Sequence, residues 1–572
     1  MSELEELRDV IRRYALENAA KYDGKANPNA VMKKVMREHE EYRDRAKEVL
    51  KLVREVVEEV NKMSLEEIKR ELEELGAEEE EEAGEKGGLK PLPGAKEGEV
   101  RLRFAPNPSG PLHLGHARAA VLNDEYARRY GGTLILRFED TDPRRVDPEA
   151  YDMIEEDLEW LGVRVDERYV QSNRMELYYR VAEELLERGG AYVCTCDADE
   201  FRRLRDRGQA CPCRSREPEE NLELWEEMLD GAFSEGEAVV RVKTKVDHPD
   251  PAVREWVAFR VVEEEHPMVG DRYLVWPTMN FAVAVDDHFM EVTHVLRGKD
   301  HESNTRRQEF IFEHLGWETP EYVHYGILKV EGSVLSTSKI KEGIKSGEFT
   351  GWDDVRTATL RALRRRGIEP EALRETILEI GLTDVDATFS WKQLYSRNRR
   401  LIDPKSNRYF FVRDPVELRI EGLEEPHAAT VPLHPDKDRG ERALVLHPED
   451  GECRVWLDRE DGEELEEGDL IRLMNAVNVE IVEVGDGVVQ GRYHSEDYRT
   501  ARREGARIVH WVPVDQAIPC EVLRPDGSVD GGYVEANVER EEPGRTVQFE
   551  RLYFARIEEC GPSGVRAVYA HD

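Results

Sequence analysis

Between Glu99 and Asp140 the chain reads EVRLRFAP, then LGHARAAVLNDEYARRY, then GGTLILRFED. That is a short apolar run, an amphipathic stretch, and a second apolar run entered through two glycines. No other feature constrains the fold as much. Strands joined through a helix pair in parallel, so the order predicts a β-α-β unit and a parallel nucleotide-binding sheet. Ligands of such sheets bind at the carboxyl ends of the strands.

The chain has 572 residues, which predicts about three to five domains rather than one core. Residues 1–75 carry apolar positions at helical spacing: Leu4, Leu7, Ile11 and Tyr14, then Val49, Val53, Val56 and Val60. They predict an N-terminal helical domain with a solvated acidic face. Residues 76–99 combine a glutamate run with glycines and prolines and no apolar period, as an acidic linker does. Residues 100–190 hold the first half of this Rossmann-like sheet domain. Four cysteines and short strands such as EAVVRVKTKV interrupt the alternation over 191–270, the mark of an inserted domain. A strand-like pattern resumes in FAVAVDDHFMEVTHVLRGKD, so 271–320 form the second half of the sheet. Residues 321–400 are mostly helical, a junction domain, and 401–572 show short alternating runs with Gly/Asp turns, the pattern of β-barrels. The fold class is multidomain, α/β plus β.

The formal net charge is −40, which on average repels nucleic acid. Screening in a saline cytoplasm weakens that repulsion, so local basic patches are judged separately. Residues 391–413, WKQLYSRNRRLIDPKSNRYFFVR, contain seven Lys/Arg against one Asp, with aromatics interleaved. Arg397, Arg399, Arg400, Lys405 and Arg408 are the candidates for RNA contact there. A solvated helix face is the alternative. A second basic run is RALRRRG at 361–367. No apolar run reaches the roughly 18 residues of a membrane span, and the N-terminus is charged, which predicts a cytoplasmic protein with no signal peptide.

The seven cysteines do not resemble a secreted disulfide framework. Four of them form CxC-x14-CxC at Cys194, Cys196, Cys211 and Cys213. Four thiolates around a short loop suit a tetrahedral structural zinc that staples a subdomain with little core. Reduced, packed cysteines are the alternative.

The chemistry concentrates in RFAPNPSGPLHLGHARAA, Arg103 to Ala120. It has neither the P-loop lysine nor GxGxxG. It still lies where a strand ends and a helix begins, a place that favours phosphate. His113 and His116 present imidazoles there, and Gly115 leaves room for a flat base. Far along the chain Ser336-Thr337-Ser338-Lys339-Ile340 is a small-residue loop with one cation.

Together HLGH and STSKI resemble the HIGH and KMSKS signatures of class I aminoacyl-tRNA synthetases. RFAPNPSGPLHLGHARAA, LRFEDTDPRR, FAVAVDDH, THVLRGKDH and NRRLIDPKSNRYFFV are similar to the glutamyl-tRNA synthetase family, its archaeal type, from about Val100 to the C-terminus. The resemblance implies that Arg103 and Arg297 grip the carboxylates of glutamate and that Glu139 receives its α-amino group. It places Asn107, His113, Gly115, His116, Asp300, Ser338 and Lys339 around ATP. His113, His116 and Lys339 would then stabilise the charge of phosphoryl transfer. Ser336 stands where the first lysine of KMSKS is expected. Met279 and Val283 replace the tyrosine and asparagine of the bacterial pocket, so those two contacts are not carried over.

A buried arginine aimed at the side-chain end prefers a carboxylate to an amide, which favours glutamate over glutamine. The expected reaction is ATP-dependent ligation of L-glutamate to the 3′ end of tRNA(Glu) through glutamyl-adenylate, with Mg²⁺ on the ATP. The resemblance extends this to tRNA(Gln) and makes glutamate activation depend on bound tRNA. It assigns the inserted domain to the acceptor end and the barrels to the anticodon. A monomer is expected, with no DNA or membrane partner and an N-terminal domain that touches tRNA or a protein. The rivals are a glutaminyl-tRNA synthetase and a non-catalytic tRNA-binding protein on the same fold. The second is expected to have lost the two histidines or Lys339.

Overall fold

The N-terminal helices follow from the apolar spacing. α1 (Glu3–Lys21), α2 (Pro28–Glu38) and α3 (Ala46–Val60) bury Leu7, Ile11, Val31, Val35, Val49, Val53, Val56 and Val60 in one core. The computed structural model describes residues 3–21, 25–38, 45–64, 67–68, 71, 89–332, 335–485 and 487–572. These fall into two units, Met1–Gly88 and Leu89–Asp572. The expected linker lies outside the described residues over 76–88. Its remainder is anchored: Leu89 and Leu92 are buried in the core of the second unit, and the Tyr126 hydroxyl donates to the Lys90 carbonyl at 2.6 Å.

In the second unit β1 (Arg101–Phe104), α4 (Leu114–Arg129) and β2 (Thr133–Phe138) form the expected β-α-β unit. β1 and β2 pair in parallel, Arg103 opposite Ile135, and β3 (Glu167–Val170) adds in parallel to β2. On the other side of β1, the Thr293 N–H donates to the Arg101 carbonyl at 3.0 Å. This sets β8 (His294–Gly298), and β9 (Glu321–Tyr325) parallel to it, beside β1. Residues at the carboxyl ends of β1, β2 and β8 therefore converge.

Between β3 and β8 the chain builds a four-stranded antiparallel sheet in the order β4 (Ala191–Cys194), β5 (Val239–Val242), β6 (Val257–Val261) and β7 (Val275–Pro277). The stretch FAVAVDDHF, expected as a strand, is instead most of the helix α5 (Met279–Phe289). Asn280 through Asp287 are all buried, and a helix buried on every side shows no 3.6-residue period to distinguish it. α6 (Glu302–Leu315) follows β8 directly.

The remaining helices include α7 (Thr337–Ser346) and α8 (Trp391–Ile402). Beyond them two seven-stranded sheets form barrel-like layers. One contains Val416–Glu421 and Glu452–Leu457, the other Ala517–Leu523, Tyr553–Gly561 and Gly564–His571. Burial alternates along Val416–Glu421, as a strand with one buried face requires. Among the described residues no helix is long and apolar enough to cross a membrane.

Candidate active site

The turn from β1 into α4 exposes backbone N–H groups that a helix start cannot satisfy by itself. His113 Nδ1 accepts from the Gly115 N–H at 3.1 Å, and His116 Nδ1 accepts from the His113 N–H at 3.4 Å. The Leu114 N–H donates to the Ala358 carbonyl at 3.1 Å. Fewer amides are thus free for an anion than the sequence suggested. What the helix start offers is imidazole. With both Nδ1 atoms accepting, each ring carries its proton on Nε2. Burial lowers the pKa of His113 to about 4 and that of His116 to about 3, the neighbouring ring adding to the second. Both are therefore neutral donors at pH 7. The rings stack with centroids 3.8 Å apart, and Gly115 makes room for them: a Cβ there would lie 3.0 Å from His113 Cε1.

These histidines line a cleft of about 490 Å³ that also takes in Arg103, Asn107, Gly115, Glu139, Arg297 and Asp300. The candidate residues for glutamate and for the histidine side of ATP meet there. Met279 and Val283 line it too, as apolar wall. Asn107 Nδ2 donates to the Glu139 carbonyl at 2.7 Å, tying the histidine loop to the end of β2. The Glu139 carboxylate accepts from Arg137 Nη2 at 3.1 Å, and burial raises its pKa against the pull of Arg137 and Arg103. Among the described residues Arg103 has one carboxylate within 4.0 Å, Asp287 at 3.4 Å, which Arg137 holds more closely at 2.7 Å. Arg297 has no carboxylate within 4.0 Å among the described residues. Burial and the charge of Arg103 lower its pKa to about 10, while Asp287 and Glu139, farther off, pull the other way, so it remains a cation with no carboxylate in contact.

Ser338 and Lys339 are not brought to this cleft. Both are exposed at the start of α7, and among the described residues of their loop only Leu335 reaches the lining. The segment is seated elsewhere: Lys341 Nζ pairs with Asp147 at 2.8 Å, and Thr337 packs so close to Gly110 that a Cβ there would lie 2.7 Å from it.

Cys194, Cys196, Cys211 and Cys213 come together in the inserted domain with all four Sγ atoms within 4.8 Å of one another. Cys194 and Cys211 are 3.9 Å apart and Cys196 and Cys213 3.5 Å. A tetrahedron of Zn–S bonds of about 2.3 Å has an edge of about 3.8 Å, so the cluster has the size a zinc ion requires.

The basic stretch on and after α8 is largely neutralised. Arg397 pairs with Glu375 and Glu379, Arg400 with Glu375 at 3.1 Å, Lys405 with Glu369 at 3.0 Å and Arg408 with Asp403 at 3.2 Å. Arg399 lies over the Phe554 ring at 5.7 Å. In the 361–367 run Arg365 pairs with Glu558, and Arg366 is buried against the Tyr569 and Ala570 carbonyls. These pairs tie the stretch to its neighbours, while Arg400 and Lys405 stay exposed.

Sequence reasoning missed the residues beneath the cleft. Arg137, Asp286 and Asp287 form a buried charge cluster, and Arg118 donates to the Gly326 and Gly381 carbonyls while lying over the Tyr325 ring. The Asp286-Asp287 pair inside an apolar run was the available signal.

Family models cover most of the chain. "tRNA synthetases class I (E and Q), catalytic domain" matches residues 99–404, and the anti-codon binding domains of the same class match 406–495 and 508–558. A glutamate--tRNA ligase of Methanopyrus kandleri is 79% identical over 570 residues, covering 100% of both chains. Those of Methanothermobacter thermautotrophicus and Methanocaldococcus jannaschii are 54% and 51% identical, each covering 99% of this chain and 99% and 100% of their own.

Proposed function

The chain belongs to the class I tRNA synthetases of the glutamate and glutamine branch, and from that premise we propose how its cleft works. Its activity is that of a glutamate--tRNA ligase: ATP-dependent attachment of L-glutamate to tRNA. A glutamate carboxylate oxygen attacks the α-phosphorus of Mg²⁺-bound ATP, pyrophosphate leaves, and glutamyl-adenylate remains. A hydroxyl of the terminal ribose of tRNA then attacks the acyl carbon and AMP leaves.

In this reading Arg103 and Arg297 hold the glutamate carboxylates and Glu139 the ammonium group. His113 and His116 donate Nε2–H to phosphate oxygens as charge builds there, with Asn107, Gly115 and Asp300 on the nucleotide side. Donors fixed before the reaction stabilise that charge without reorganising. Ser338 and Lys339 join the phosphates when the start of α7 leaves its seat near Gly110 and Asp147. The four cysteines hold a structural zinc in the inserted domain, and their reduced state suits the cytoplasm. The enzyme charges tRNA(Gln) as well as tRNA(Glu).

The observation that carries the choice of amino acid is Arg297, buried and without a carboxylate of its own. An amide ligand would leave that charge unpaired. Charging of purified tRNA(Glu) and tRNA(Gln) with labelled glutamate tests the reading; failure with both overturns it. The zinc is tested by metal analysis of purified protein: about one zinc per chain, lost together with the melting temperature of the inserted domain when Cys211 and Cys213 are replaced by serine.

A further inference from the structure

Arg297 emerges from the carboxyl end of β8, and most of what it touches is neutral. Its Nη2 donates to Thr305 Oγ1 and, at 3.1 Å, to Gln308 Oε1, both on α6. Tyr322 lies under its guanidinium at 4.9 Å. Its Nε is buried without a partner. In a chain with 123 acidic residues, two oxygen acceptors chosen to hold a buried arginine are a hydroxyl and an amide.

Neither acceptor is free to turn. Gln308 is fully buried, and its Nε2 donates to Asn280 Oδ1 at 3.1 Å. Asn280 Nδ2 in turn donates to Asn304 Oδ1 at 3.2 Å, and Asn304 Nδ2 meets His301 Nδ1 at 2.9 Å. This chain of amides fixes which end of Gln308 faces the arginine: only its carbonyl can. Thr305 Oγ1 lies 2.9 Å from His324 Nε2 and 3.4 Å from the His301 carbonyl. Its proton is directed away from the guanidinium and its lone pair toward it.

We infer that Thr305 and Gln308 are positioning residues that aim Arg297 into the cleft without putting a carboxylate in contact with it, and that they thereby set the preference for a carboxylate over an amide. A carboxylate at position 308 would make the same hydrogen bond and cancel the charge. A neutral acceptor orients without cancelling, so the counter-ion must come from the substrate. The inference rests on the reading that Arg297 binds the glutamate side chain.

The test is aminoacylation kinetics with full-length protein, saturating ATP and tRNA, and glutamate or glutamine varied. Gln308→Glu is expected to raise KM for glutamate about 100-fold and to lower the glutamate-to-glutamine ratio of kcat/KM by a similar factor. At saturating glutamate kcat stays within about threefold and KM for ATP is unchanged, a split that a general folding defect does not produce. Thr305→Val is expected to raise KM about tenfold, and Thr305→Ser, which keeps the hydroxyl, to recover most of it. The threonine pair decides the matter if Gln308→Glu does not fold. Arg297→Gln separates the two levels of the argument. If it abolishes glutamate preference while both Gln308→Glu and Thr305→Val retain it, the positioning role is wrong and the reading of Arg297 stands. If Arg297→Gln itself leaves the preference intact, both fall.

Discussion

Arg297 in the cleft and Arg442 in the C-terminal sheets are both buried guanidinium groups, yet their surroundings differ in kind. Arg442 shares the Glu535 carboxylate at 2.9 and 3.0 Å, and neither side chain reaches solvent. Arg297 has a hydroxyl, an amide and a ring face. The Arg442 arrangement is closed in charge, since Glu535 holds it at two contacts and Glu550 lies 3.8 Å away, although its Nη2 makes no hydrogen bond. The Arg297 arrangement is open, because taking a cation out of water without an anion is unfavourable until a ligand supplies one. With acidic residues outnumbering basic ones 123 to 83, a partner is easily found, so its absence at Arg297 is informative.

The contrast is broken most forcefully at the closed pair. Glu535→Ala strands Arg442 and is expected to lower stability by about 3–5 kcal/mol in urea unfolding. Removing the open arginine should do the reverse of what its burial suggests. Arg297→Gln strands no carboxylate, so stability stays within about 1 kcal/mol while kcat/KM for glutamate falls at least about 30-fold. A loss of stability like that of Glu535→Ala would show that Arg297 is structural. On the exposed side of α8, Arg400→Gln breaks a pair with Glu375 that solvent already screens. It is expected to change stability by less than about 1 kcal/mol, and KM for tRNA by less than about threefold. A larger rise in KM, abolished by added salt, would restore the RNA-contact reading of that helix.

The smallest effect is a null one over the physiological range. His113 and His116 have folded-state pKa values of about 4 and about 3, below their ordinary 6.5. Groups lowered on folding contribute stability that is complete above about pH 6.5 and is lost as pH falls toward 4, because the unfolded chain takes up the protons first. The melting temperature should therefore be insensitive to these rings between pH 7 and 8. Below pH 6.5 it should fall less steeply in a His113→Asn/His116→Asn double variant than in the parent chain.

Much of the site was legible before any fold was known. The strand, loop and helix around His113 fall in the order the sequence predicts, and the order itself brings Arg103, Glu139 and Arg297 to one sheet edge. The reading failed where a local signal had two structural solutions. FAVAVDDHF alternates like a strand and is a buried helix, since complete burial removes the periodicity that separates the two. The ion pairs of Arg397, Arg400 and Lys405 were not legible either, because Glu369, Glu375 and Glu379 lie well before them in the chain, where no local window sees the pairing.

Sequence by itself determined the β-α-β unit and the four-thiol spacing, because each depends on residue type and spacing over a few tens of residues. Only the tertiary structure decided which charges are cancelled. Whether an arginine is a structural tie or a substrate grip depends on what stands within about 4 Å of it. For Arg297 those neighbours are Thr305, Gln308 and Tyr322, which are brought there by packing and carry no charge.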